Sequence, residues 1–424
     1  MKKRSPQKQQ SPDAFTIVKG IVRHQISNVS NLLKGLPVQP PSIGSMTHEM
    51  DDVRLAKKLI KAPEQWYDEG EITSYEEAFA TWNGSKYAYA FMGGRVALSA
   101  AIHALELKAG DEVIIPGYTC VVVPNAFEYE DIVPVYADIE LDTYGLSAKS
   151  FRERITPKTK AVVLQHLFGL VARDYEEVLE IARAHKISVI EDCAHATGAL
   201  YKNKRVGNAG DVAFYSSELS KVFNTIQGGI VVTNNAAIAE RIKAYKQSAA
   251  FPSQDRIDKL LHNVVLNYYR FKHNQRWAIG DYYQLRYFQK ELISTTQGEI
   301  QGQKPAHYGA RLPAPLASIG KHQLKKIDRF NEMRTQQAAK WTRWCEKSDY
   351  KPPVVISDSS PVWLRYPVLV APEKKQNTTW ALRELGVRPG VWFLSHLHPK
   401  PGALAGCPNA DIAVAQCINL PTLI

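Results

Sequence analysis

The 424-residue sequence predicts an α/β protein, with a large, doubly wound and mainly parallel sheet domain followed by a smaller C-terminal α/β domain. Three observations carry this. Short apolar runs of strand length alternate with helical patterns from Tyr87 to Asn235. One such run ends in the carboxylate pair Glu191-Asp192, at the strand end where ligands of open α/β sheets gather. The composition, 45% hydrophobic and 22% charged, is that of a globular chain with a sizeable core.

Taken in order, residues 1–46 form a separate extension with seven Lys/Arg and a single acid, Asp13. Phe15, Val18, Val22, Ile26, Val29, Leu33 and Leu36 recur at steps of three and four, which predicts an amphipathic helix. Lys19, Arg23 and Lys34 lie off that stripe. Two readings stand: an arm packed on its own fold or a second subunit, and a basic helix lying on a membrane surface. Pro37, Pro40 and Pro41 mark a linker.

The large domain spans 47–250 and opens helically from Met50 to Gly84. Tyr87–Phe91 reads as a strand, Gly93-Gly94-Arg95 as a turn, and Val96–Leu107 as a helix. A glycine turn opening a helix presents backbone N–H groups and the positive end of the helix dipole to an anion. Val113–Ile115 and Ile132–Tyr136 read as strands flanking a helix that starts near Thr119, and Lys160–Leu164 as another strand. The helix Tyr175–His185 leads to the run Ile187–Ile190, and a helix follows Asn235.

Residues 251–305 are an aromatic and basic insertion, including NYYRFKHNQRW. Such interleaving suits a helical excursion packed on the body, a lid over an acceptor, or single-stranded nucleic acid, in falling order. The small domain, 306–424, begins with a long amphipathic helix and continues with strands near Trp363–Val370 and Gly390–Phe393 around a helix at Thr378–Leu385. His396 and His398 follow without acids or cysteines at ligand spacing, so no metal site is expected.

Chemistry concentrates in 189–235. Asp192 ends a strand, Ser216, Ser217 and Ser220 lead to Lys221, 29 residues later, and Gly228-Gly229 follows. An acid at a strand tip and a hydroxyl-flanked lysine suit pyridoxal 5′-phosphate (PLP): the lysine forms the Schiff base and the acid keeps the pyridine nitrogen protonated. Singly, each has a duller reading as helix cap, solvated cation or loop residue.

In order and spacing, these residues resemble the DegT/DnrJ/StrS family of PLP-dependent sugar aminotransferases, with its EDxA(Q/H)AxGA, GDxxxFSFxxxK and (E/D)GG motifs. The resemblance covers about residues 60–424 and implies a fold-type-I enzyme, expected as a homodimer with active sites at the subunit interface. It makes Asp192 the pyridine-nitrogen partner, Lys221 the catalytic Schiff-base lysine, Ser216 a phosphate ligand and His195 a neighbour of the cofactor's phenolic oxygen. Gly94 and Arg95 fall at the family's phosphate turn, where Arg95 replaces a threonine. Cys120 replaces the aromatic that stacks on the cofactor, leaving Tyr118 or His195 to cover the ring. Arg311, His396 and His398 fall near the substrate. Gln227 replaces the acid before the glycine pair, and Gly309 replaces an asparagine that reaches the neighbouring subunit.

The implied activity is amino transfer from an amino acid, L-glutamate in most of the family, to a keto sugar linked to a nucleotide. The nearest alternatives are a sugar dehydratase of the same family, which carries His at the place of Lys221, and a non-enzymatic PLP-fold regulatory or membrane-associated protein. A net charge of +11 suits anionic substrates, and no nucleic-acid-binding motif is present. Five cysteines without CxxC spacing favour a reducing compartment, and the polar N-terminus lacks a signal-peptide core, so a cytoplasmic location is expected.

Overall fold

Seven strands build the central sheet of the computed structural model, which describes residues 14–38, 40–44, 47–271, 277–287, 290, 295–305 and 308–424. They are β1 (Tyr87–Phe91), β2 (Glu112–Pro116), β3 (Val133–Ala137), β4 (Thr159–Gln165), β5 (Ser188–Asp192), β6 (Val212–Ser216) and β7 (Gly229–Thr233). Their spatial order is β1-β7-β6-β5-β4-β2-β3. The strands from β6 to β3 run parallel, while β7 is antiparallel to both its neighbours. Parallel pairing brings Gln165, Asp192 and Phe214 side by side at one edge of the sheet.

Both faces of the sheet are covered. Successive residues of β4 alternate between two buried cores: Val162 and Leu164 join one, Ala161 and Val163 the other. This is why the strands read as continuous apolar runs rather than alternating ones. The turn before the helix Gly94–Ala104 presses against β7, where a Cβ on Gly229 would come within 2.3 Å of the Gly93 carbonyl carbon. Only glycine allows that approach.

The helix predicted from Thr119 begins at Val122, because Thr119–Cys120 pairs in parallel with Leu397–His398 of the C-terminal region. The expected long helix after Arg311 is two, Ala314–Leu324 and Ile327–Lys347. In the C-terminal part, Tyr366–Leu369 pairs with Cys417–Leu420, a tail strand the sequence reading did not assign. Gly390–Phe393 is not a strand; it contributes a single bridge, Gly390 to Asn419, and then turns toward the large domain. A third core joins Trp341, Tyr366, Val368, Ile418 and Leu420 to Tyr118 and Phe393, packing the C-terminal part against the part that carries the sheet.

The N-terminal helix forms over Ala14–Leu33, but its apolar stripe faces outward. Ile17, Asn28 and Asn31 are buried, whereas Phe15, Val18, Val22, Ile26, Val29 and Leu33 are exposed, Leu33 at 83%. Gln25 and His24 reach Asp281 of the body. No helix among the described residues is long and apolar enough to cross a membrane. In the insertion, the helices Gln254–Phe271 and Trp277–Arg286 pack together through Tyr269 and Tyr283, whose rings stack at 3.9 Å. Its aromatics therefore meet one another as well as the body.

Candidate active site

A cavity of about 530 Å³ opens at the carboxyl edge of the sheet. Gly94, Arg95, Cys120, Asp192, His195, Ser216, Lys221 and His398 line it. The sequence reading had assigned all eight, drawn from positions up to 304 residues apart.

The local sequence explains each placement. Asp192 ends β5, and its carboxylate accepts the Ala194 N–H at 2.9 Å. Burial pushes its carboxyl pKa up, with Lys221 and His166 acting in the opposite direction. No cation among the described residues pairs with it within 4 Å. Such a carboxylate calls for either a proton or a cationic N–H. Lys221 sits in the irregular stretch after β6, with its N–H bonded to the Glu218 carbonyl. Burial lowers its pKa, and Arg365 lowers it further, against Glu218, Cys120 and Asp192. The shift favours the neutral, nucleophilic form of the amine.

Ser216 ends β6, directly behind the helix N-terminus: a Cβ on Gly94 would meet the Ser216 Cβ at 2.9 Å. A hydroxyl and the first turn of a helix thus share one corner of the cavity, a site suited to a phosphate. His195 Nδ1 accepts the Phe168 N–H at 3.3 Å, which assigns the ring proton to Nε2. Burial, Lys221 and Arg365 hold this histidine neutral. The Cys120 thiol is pushed up by burial and stays protonated.

Adjacent carboxylates divide their work. Glu191 points away from Asp192 and is fully buried. It accepts the N–H groups of Gly207, Ala209 and Gly210 and the Tyr175 hydroxyl, and meets His166 Nε2 at 3.2 Å. His166 thereby satisfies hydrogen bonds at the end of β4. Burial pushes the Glu191 carboxyl up, but His166 and the backbone donors more than offset it and leave the pKa lowered. Its contribution to stability is therefore present above the ordinary carboxylate range and is lost as pH falls through the lowered folded value. Glu191→Gln is expected to destabilise the fold by about 3–5 kcal/mol, because an amide cannot accept every one of these donors. Urea denaturation read by tryptophan fluorescence checks this; a change under about 1 kcal/mol would contradict it.

Three expected residues lie elsewhere. Tyr118, expected to cover a cofactor ring, is fully buried in the seam between the domains. Its hydroxyl donates to the Trp392 carbonyl at 3.2 Å and accepts the Phe393 N–H at 2.9 Å, so it holds the small domain and does not line the cavity. Arg311 pairs with Glu69 and stacks over Phe251 at 4.3 Å, outside the cavity wall. His396 is buried beside Asp411, 3.2 Å from its Oδ1, also outside the wall.

Other residues escaped the sequence reading. Glu299 and Thr295, both in the insertion, hold Arg95: Glu299 by an ion pair and the Thr295 hydroxyl by accepting from its guanidinium at 3.3 Å. Arg256, on the insertion's first helix, donates to Gln227 Oε1 at 2.8 Å and lines the same wall. Trp392 closes the small-domain side. Nothing in the local sequence around Glu299 marks it. Arg365 carried a signal, a cation inside the apolar run Trp363–Val370.

A half-buried lysine and a buried carboxylate on one cavity, at the carboxyl edge of a mainly parallel sheet, define a PLP-dependent enzyme of fold type I. The residues fit the cofactor: the unpaired Asp192 suits a pyridinium N–H, and the Gly94 and Ser216 corner suits a phosphate. The chain belongs to the DegT/DnrJ/EryC1/StrS aminotransferase family, whose model matches residues 50–423. It is 35% identical over 214 residues to a GDP-perosamine synthase of Escherichia coli O157:H7, covering 50% of this chain and 57% of that one, so it spans little more than half of that relative's length. A Methanocaldococcus jannaschii protein, MJ1066, is 30% identical over 399 residues, 91% of this chain and 92% of that one. The fold is also that of NtdA from Bacillus subtilis, solved with its cofactor PMP, at a TM-score of 0.67 and 21% identity over 88% of this chain and 77% of that one.

Proposed function

We propose that the protein moves an amino group from an amino acid, L-glutamate by family resemblance, to a keto group on a nucleotide-linked sugar. The observation that carries this is the Lys221 amine and the Asp192 carboxylate facing one buried cavity that ends at a helix N-terminus. Lysine at 221 supports transamination over the dehydratase alternative. The GDP-perosamine synthase supports a nucleotide-linked sugar.

PLP bound there supplies an electron sink for the charge left when the donor's Cα proton departs. The chain supplies the rest. Asp192 would hold the pyridine nitrogen and its proton, and Ser216 and the Gly94 turn would hold the phosphate. Lys221 would anchor the cofactor and, once released, take the Cα proton and return it one position away. Its lowered pKa suits an amine that must act as a base near neutral pH. His195, held neutral, adds no competing charge beside it. Arg95 and Arg256 place two guanidiniums on the wall nearest the insertion, suited to the acceptor's diphosphate. We also infer a homodimer, as the family resemblance implies, with the outward apolar stripe of the N-terminal helix available to a second subunit.

The test is in two halves. L-Glutamate added to the PLP-loaded protein should bleach its visible absorbance and release one 2-oxoglutarate per site. Keto sugars linked to GDP or dTDP should then restore that absorbance. Absence of any amino-acid half-reaction would sink the proposal and favour a cofactor-holding, non-enzymatic protein.

A further inference from the structure

Arg365 lies immediately before the strand Tyr366–Leu369 and is fully buried. Its Nε, Nη1 and Nη2 have no hydrogen-bond partner among the described residues. The guanidinium lies over the Trp392 indole, 3.3 Å from the ring centre. The same indole lines the main cavity, and the Lys221 Nζ is 6.0 Å from its centre. The positive charge is felt by Lys221, His195 and His398, each of which it pushes down. Burial lowers the pKa of Arg365 itself to about 9. The opposing charge that acts on it is Glu218, whose carboxylate is engaged by the Ser220 N–H and hydroxyl and makes no ion pair with it.

Burying an unpaired cation costs more than stacking on one indole recovers. Arg334 is a useful contrast: it is equally buried, but donates to the Asn331 Oδ1 at 2.9 Å and the Val222 carbonyl at 2.7 Å, so its role in the fold is complete. Arg365 has no such completion. A planar fork of N–H donors matches a planar carboxylate in two parallel bonds. In an amino-acid donor the α-carboxylate is one bond from the carbon that loses its proton to Lys221. Its receptor must therefore lie near that amine, and the Trp392 indole, 6.0 Å from the Lys221 Nζ, carries the Arg365 guanidinium against its ring.

We propose that Arg365 is the receptor for the α-carboxylate of the amino-acid donor, and that the Trp392 indole covers it until the donor enters. The assignment rests on the transaminase reading above and deepens it. A donor exchanges the indole for a charged, two-pronged hydrogen bond, while a sugar acceptor without a carboxylate leaves the cover in place. One cavity can then take two unlike substrates in turn.

The experiment uses PLP-loaded enzyme and 2-methyl-L-glutamate, which binds as a donor but has no Cα proton to lose. Binding is read from the shift in cofactor absorbance and from tryptophan emission. Arg365→Met should weaken it by about 100-fold, as expected for two charged hydrogen bonds. Arg365→Lys, which keeps the charge and loses the fork, should weaken it by about 10-fold and covers the case in which the methionine variant does not fold. Trp392→Ala should tighten binding several-fold; weaker binding would overturn the role of the indole as a cover. The pyridoxamine form of Arg365→Lys, which keeps the charge beside Lys221, should lose far less in its reaction with acceptor than in donor binding, since that half uses no carboxylate. Wild-type donor binding by the Arg365 variants, or equal losses in both half-reactions, would overturn the carboxylate assignment alone. A wild-type protein that shifts with neither L-glutamate nor L-glutamine would overturn the transaminase reading and this assignment with it.

Discussion

Replacing Lys221 with alanine is expected to abolish turnover, lowering the rate by at least about 10⁴-fold, because one amine serves both as covalent anchor and as the base that moves the Cα proton. The substitution removes a side chain that has no hydrogen bond or ion pair among the described residues, so the fold should hold. Added methylamine should restore part of the proton transfer, because a free amine of small size fits the space left in a cavity of about 530 Å³. The measurements are the visible absorbance of lysine-linked cofactor, which should vanish, and the donor half-reaction with and without amine. Normal transamination by Lys221→Ala would remove the basis of the proposed function.

Asp192→Asn tests a different contribution. The carboxylate is buried at a strand tip, held by the Ala194 N–H, and without a cationic partner within 4 Å among the described residues. A pyridinium N–H would supply that partner and be stabilised by it. Asparagine keeps the shape and loses the charge, so the ring nitrogen would shed its proton and the electron sink would weaken. The donor half-reaction should slow by about 10²–10³-fold, the range for loss of one preorganised electrostatic contact to developing charge. PLP should remain bound through Lys221 and the phosphate corner. Retained absorbance with a slow half-reaction distinguishes this from a folding defect, and an unchanged rate would show that Asp192 does not act on the ring.

Both residues were legible in the sequence for a physical reason. An acid that closes an apolar strand, and a lysine following a second strand, are local patterns set by chain order. Parallel pairing of β5 and β6 converts that order into proximity without further information. Gly94 and Ser216 were legible in the same way, since a glycine turn opening a helix is readable wherever it sits. The strands of the small domain were read less well. The run Gly390–Phe393 looks like a strand, yet Trp392 and Phe393 turn to line the cavity, and the pairing partner of Tyr366–Leu369 is the C-terminal tail instead. Tyr118 was misplaced because an aromatic next to the cofactor turn can face either the cavity or the domain seam. Two hydrogen bonds to the loop at 392–393, distant in sequence, decide for the seam.

By itself, then, the sequence determined the fold class and the presence of an amphipathic N-terminal helix, and it picked out the lysine, the acid and the glycine turn that meet at the cavity, because each depends on residues near one another in the chain or on strands in regular succession. Only the tertiary structure decided which of two neighbouring carboxylates enters the cavity and which holds the backbone. It also decided that insertion residues Glu299 and Arg256 reach the site, that the apolar stripe of the N-terminal helix faces outward, and that Arg365 is buried without a hydrogen-bond partner among the described residues. Those outcomes depend on contacts across the chain, where burial and the balance of charge are set by neighbours that no local pattern names.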